Sequence, residues 1–137
     1  MSDFDETEML ERFRARRLLR DPVLDEIERA VIGGDYGADG YTTRAQADEL
    51  AELTALGPGR RLLDIGTGRG WPGIYLALST GCSVIATDIP IEGLTAGSAR
   101  ARDERLEGRV GFVAARAEAL PFGPTSFDAV VHTDVLC

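Results

Sequence analysis

The chain has 137 residues, 44% hydrophobic and 28% charged, and its 23 acidic and 15 basic residues give a net charge of −8. This suits one globular domain with a core of reasonable size, and no stretch reaches the roughly 18 uninterrupted apolar residues of a membrane helix. The acidic balance repels a phosphate backbone and argues against nucleic acid as a partner. Every basic residue is Arg, which excludes a lysine Schiff base or a P-loop lysine within these residues. With one histidine, His132, and two distant cysteines, Cys82 and Cys137, neither a multi-histidine nor a cysteine metal site has its ligands. Residues 1–11 are acidic and lack the apolar core of a secretory signal, so the expected location is the cytoplasm.

Glu6 to Arg20 reads as a helix with Met9, Leu10, Phe13 and Arg17 near one face. Its arginines, Arg12, Arg14, Arg16, Arg17 and Arg20, form a cluster that reads first as a solvated face. Asp21 as cap and Pro22 as first helical residue start a second helix, running to about Ile32, with Val23, Leu24, Ile27 and Val31 inward. Gly33 and Gly34 end it. The stretch to Tyr41 is a loop, in which Tyr36 and Tyr41 are candidates to cover a site. Thr42 or Thr43 caps a helix of about 13 residues with Ala47, Leu50, Ala51 and Leu53 at burial spacing, and Gly57-Pro58-Gly59 breaks the chain.

Strands and helices then alternate. The pattern predicts strands at Arg61–Ile65, Ser83–Thr87, Val110–Ala114 and Phe127–His132, with helices at Pro72–Ser79 and from Leu94 to about Leu106. Such alternation implies βαβ units and a parallel α/β sheet with helices on both faces. The expected organisation is an N-terminal helical segment and loop over residues 1–42, then a core over 43–137.

The most informative stretch is LLDIGTGRGWPGIYL, Leu62 to Leu76. Gly66, Gly68 and Gly70 follow the first strand at alternate positions, allowing a tight strand-to-helix turn against which a ligand can lie. Gly68 to Gly73 also fits the G-x-G-x-x-G dinucleotide pattern. Yet the glycine directly after the strand is Gly66, whose pattern position five residues on holds Trp71. Asp64, at the strand end, would oppose a pyrophosphate and suit a cationic amine. Asp64-Ile65-Gly66-Thr67-Gly68-Arg69-Gly70 resembles the first motif of class I S-adenosylmethionine-dependent methyltransferases. The resemblance implies a Rossmann-like fold in which the Gly66–Gly70 backbone, Thr67 included, approaches the methionine part of S-adenosylmethionine. It also implies that Asp64 holds the cofactor's amino group, often through water.

Asp88 ends the second strand beside the glycine loop, because carboxyl ends of neighbouring parallel strands lie together. It can accept both ribose hydroxyls or cap the next helix, and Ile89 with Ile91 can sandwich an adenine ring. Arg116-Ala117-Glu118-Ala119-Leu120-Pro121-Phe122 resembles the family segment that usually reads Asp-Ala-Glu/Asp-x-Leu-Pro-Phe. The resemblance implies an adenine contact from the Ala117 amide. With Arg116 in the acidic position, the contact to the adenine amino group is lost or comes from elsewhere, Glu118 being the candidate. Ser126 to His132 resembles the fourth motif, which ends beside the transferable methyl. His132 is there a pocket-wall residue, a cofactor contact or the one candidate base. Trp71 and Tyr75 read as packing residues.

The family's sheet has seven strands, so the resemblance covers residues 43–137 as the cofactor half, with the last three strands and much of the acceptor site missing after Cys137. Ala129, Val130 and Val131, with Val135 and Leu136 behind them, are apolar throughout, as in a strand covered and paired on both sides. Left open, that edge invites pairing into a homodimer. The implied activity is methyl transfer to a small molecule or protein. The alternatives are a non-catalytic S-adenosylmethionine-binding or interaction module, favoured by the missing strands, and an NAD(P)-binding oxidoreductase domain.

Overall fold

A computed structural model describes residues 5–18 and 21–134. The side chains of Phe13, Arg16 and Arg17, and residues Arg20, Val135, Leu136 and Cys137, lie outside the described residues. Four strands, β1 (Arg61–Ile65), β2 (Ser83–Asp88), β3 (Val110–Ala114) and β4 (Ala129–His132), form a parallel sheet in the order β3-β2-β1-β4. β1 is the pivot. It pairs with β2 from Arg61↔Ser83 to Ile65↔Thr87 and with β4 from Leu62↔Ala129 to Ile65↔His132. The chain runs outward from β1 to β3 and then returns to the far side of β1. That reversal opens a crevice beyond the carboxyl ends of the central strands.

Five helices accompany the sheet: α1 (Glu6–Leu18), α2 (Pro22–Val31), α3 (Arg44–Leu53), α4 (Gly73–Thr80) and α5 (Ile91–Asp103). α3 starts at a reciprocal cap, in which Thr43 Oγ1 accepts from the Gln46 N–H and Gln46 Oε1 accepts from the Thr43 N–H. Ala47 of α3, Ile74, Leu76 and Ala77 of α4 and Ala101 of α5 pack with Leu62, Val84, Ala86, Val110 and Val131. Those strand residues alternate in register, so they form one face of the sheet. The return from β3 to β4 holds a single 3₁₀ turn, Ala117–Ala119. Pro121, Gly123 and Pro124 keep a longer helix from forming there. The Rossmann-like α/β class therefore stands, but among the described residues the helices of this core pack on one face.

α2 departs from its sequence pattern. Val23, Leu24, Ile27 and Val31, expected inward, are 61%, 47%, 51% and 52% exposed, and Ile32 just beyond the helix enters the core instead. The helix is anchored by a polar group: Glu28 Oε1 accepts from the N–H groups of Tyr36 and Ala38. Periodicity shows that a helix has an apolar face, not what covers it.

α5 approaches the glycine loop through Gly97. A Cβ there would lie 2.9 Å from the backbone oxygen of Arg69 and 2.7 Å from the Phe112 ring. Alanine ordinarily stabilises a helix interior over glycine by about 1 kcal/mol. Here the sign is expected to reverse, with Gly97→Ala destabilising by about 1–3 kcal/mol, read as a lower urea midpoint. A raised midpoint would refute this close packing.

Candidate functional site

At the end of β1 the chain turns through Gly66, Gly68 and Gly70 with φ of 72°, 60° and 101°, a region that side chains rarely tolerate. The turn is moulded onto β2. The Gly66 and Thr67 N–H groups both donate to Thr87 O, at 2.8 and 3.0 Å, and the Gly68 N–H donates to Asp88 Oδ2 at 2.7 Å. The Gly70 N–H closes on Thr67 O. Four amides are thus already bonded, and these glycines offer close approach of bare backbone more than a set of open donors. A pyrophosphate needs such donors.

Asp64 lies beneath this loop with 0% exposure. Its Oδ2 accepts from Thr67 Oγ1 at 2.8 Å and from the Gly73 N–H, at the start of α4, at 3.0 Å. Oδ1 is buried without a partner. Burial pushes the Asp64 carboxyl up to about 7, against the lowering effect of those two bonds and with a further rise from the charge of Asp88.

Above the loop is a cleft of about 260 Å³. Gly66, Thr67, Gly68 and Trp71 form its floor, and Asp88, Ile89 and Pro90 at the end of β2 form one side. Thr133 and Asp134, after β4, form another, while Asp39 and Gly40 of the N-terminal loop and Met9 and Leu10 of α1 complete it. Three carboxylates line this cleft, and no basic side chain among the described residues does. The 33–43 loop is fastened around it. Asp134 Oδ2 accepts from the N–H groups of Tyr41 and Thr42 and from Thr42 Oγ1. Arg69 donates to Gly37 O and Asp39, and Trp71 Nε1 donates to Thr42 O. A Cβ on Gly40 would collide with the Asp134 carboxylate.

Of the residues singled out from sequence, Gly66, Thr67, Gly68, Asp88 and Ile89 line the cleft, while Asp64 and Gly70 do not. Asp88 does not cap α5, which begins without a side-chain cap, but fastens the loop and accepts from the Ile89 N–H. Ala117 and Glu118 are exposed in the 3₁₀ turn, away from the cleft lining. Glu118 Oε1 accepts from Arg116 Nε, and the Arg116 guanidinium also pairs with Glu6 of α1. His132, expected at the site, is exposed on β4 and outside the cleft lining. Strand alternation gives the helix-packed face to Val131 and turns His132 the other way. Tyr36 stacks on Trp71, with ring centroids 4.3 Å apart, and Tyr41 is 78% exposed, so the loop reaches the cleft through Asp39 and Gly40 instead. Trp71, expected only to pack, also lines the cleft. Sequence reasoning missed Met9, Leu10, Asp39 and Asp134 as site residues, since nothing local marks a contact made across the chain.

A family profile described as a methyltransferase domain matches residues 62–137. The chain is 36% identical over 83 residues to methyltransferase GfsG of Streptomyces halstedii, covering 61% of this chain and 30% of that protein. It is 38% identical over 113 residues to 27-O-demethylrifamycin SV methyltransferase of Amycolatopsis mediterranei, covering 79% of this chain and 42% of that protein. The solved S-adenosylmethionine-dependent methyltransferase of Thiobacillus denitrificans, in complex with S-adenosylhomocysteine, shares the fold. Its TM-score is 0.62 at 19% identity, over 84% of this chain and 44% of that one. The chain thus spans less than half the length of these relatives.

The carboxyl of Asp64 gives a test of the floor of the site. Its folded pKa lies above the usual 3.8, so the folded chain holds a proton that the unfolded chain releases. That contribution to stability is fully present below 3.8 and is lost as pH rises through about 7. Unfolding free energy is expected to fall between about pH 4 and about pH 7. Asp64→Asn, whose amide oxygen still accepts from Thr67 and Gly73, is expected to flatten this fall in urea titrations. Equal slopes in both proteins would reject the assignment.

Proposed function

This chain belongs to the methyltransferase-domain family, and on that premise we propose that it binds S-adenosylmethionine in the cleft above the glycine loop and serves methyl transfer in the cytoplasm. The observation that carries this reading is the glycine turn after β1, whose bare backbone at Gly66, Thr67 and Gly68 lines the cleft beside Asp88 while its amides are already bonded. S-adenosylmethionine bears a sulfonium and an ammonium against one carboxylate and has no phosphate, so it does not need the open amide donors that this turn lacks. A dinucleotide pyrophosphate would meet Asp88 over amides that are already bonded.

The residues present fit this cofactor. Gly66, Thr67 and Gly68 admit its methionine end to the backbone. Each carboxylate oxygen has two acceptor sites, so Asp88 holds the loop and the ribose hydroxyls together. Ile89 and Pro90 flank the adenine. Asp64, buried and outside the cleft lining, acts from below by shaping the loop. When bound, the cofactor supplies a methyl carbon on a sulfonium, a centre that departs readily. The task of the protein is then to orient the two partners, and no residue is assigned as a base.

The acceptor in this reading is a small molecule or a protein group. A small molecule is favoured by the relative named for 27-O-demethylrifamycin SV, and the net charge of −8 disfavours nucleic acid. No helix among the described residues is long and apolar enough to cross a membrane. In this reading the outer edge of β4 pairs with a second copy of the chain.

Calorimetric titration tests the proposal. S-adenosylmethionine and S-adenosylhomocysteine are expected to bind saturably and NADH not at all, with Asp88→Ala weakening both by about tenfold or more. Tighter binding of NADH would reject it. Methyl incorporation from labelled donor separates transfer from binding alone.

A further inference from the structure

α1 is held over the cleft by ion pairs at two points along its length. Arg116, two residues past β3, pairs with Glu6 at the first residue of α1 and with Glu118 at 2.8 Å. About two turns further on, Arg14 pairs with Glu92 of α5 at 3.3 Å. Between these points lie Met9 and Leu10, half-buried, lining the same cleft as Ile89 and Pro90. We infer that Arg116 is a positioning residue that latches α1, through Glu6, as a roof over the nucleoside end of the cleft. This rests on the cofactor reading above.

The charges explain why the residue is basic. An acid at 116 would face Glu6 and Glu118 and drive α1 away, whereas Arg116 bridges the two. The latch is also light. Arg116 and Glu6 are 47% and 48% exposed, and such pairs contribute at most about 1 kcal/mol and weaken with salt. A roof held this lightly opens readily, as ligand entry and product release require.

S-adenosylhomocysteine is the suitable probe, because its ammonium and carboxylate cancel and salt then acts on the latch rather than on the net charge of the ligand. In low salt, Glu6→Ala and Arg116→Ala are each expected to raise its dissociation constant about two- to fivefold. The double substitution is expected to cost no more than either single one. About 0.5 M salt should bring the unmodified chain and the two variants to nearly the same value, because the pair that distinguishes them is screened. Arg116→Lys, which keeps one charged contact, should recover part of the loss. The amides of α1 should exchange faster in both single variants, with no change in the sheet. Unchanged affinity, or losses that simply add, would overturn the latch alone. Failure of the unmodified chain to bind S-adenosylhomocysteine would overturn the cofactor reading and the latch with it.

Discussion

One buried carboxylate organises the rest of the molecule. Asp64 sits where β1 ends, and its Oδ2 takes one bond from the glycine loop and one from the first amide of α4. Strand, turn and helix therefore meet at a single atom. Burying a charge so completely is costly unless it is paired or neutralised, which is why this carboxyl keeps its proton to about 7. The shape of the turn follows from that anchor and from Asp88 on the other side, so two acids fix a loop that has almost no side chains of its own.

The cleft is less a property of the core than of what closes around it. Its floor comes from a continuous strand–turn–helix unit, but its walls come from the end of β2, the residues after β4, the 33–43 loop and α1. The same fold hosts many chemistries, so the site and not the fold decides which ligand is held. Loop amides that are already bonded, with Asp88 beside them, leave little to hold an anionic ligand.

The floor was legible in the sequence and the walls were not. Alternating glycines after an apolar strand have few physical explanations, so Gly66, Gly68 and Asp88 could be placed before any coordinates. Short apolar runs alternating with helical segments likewise announced the four strands. The reading of α2 went astray because an amphipathic pattern names a face without naming its partner. His132 is exposed on β4 because the register turns its side chain away from the helix-packed face. Asp134 carries no local signal at all, since its bonds to Tyr41 and Thr42 join residues 92–93 positions apart.

That last separation has a kinetic consequence. Contacts close in sequence form early, because little loop-closure entropy opposes them, and distant ones wait. The pairing of β1 with β2 and of β2 with β3 is local, so that part of the sheet can assemble first. The clasp of Asp134 on Tyr41 and Thr42 needs both ends of the chain in place. The ligand cleft is therefore the last region to mature during folding and the first to open in native fluctuations, which leaves binding capacity a more sensitive gauge of damage than secondary structure.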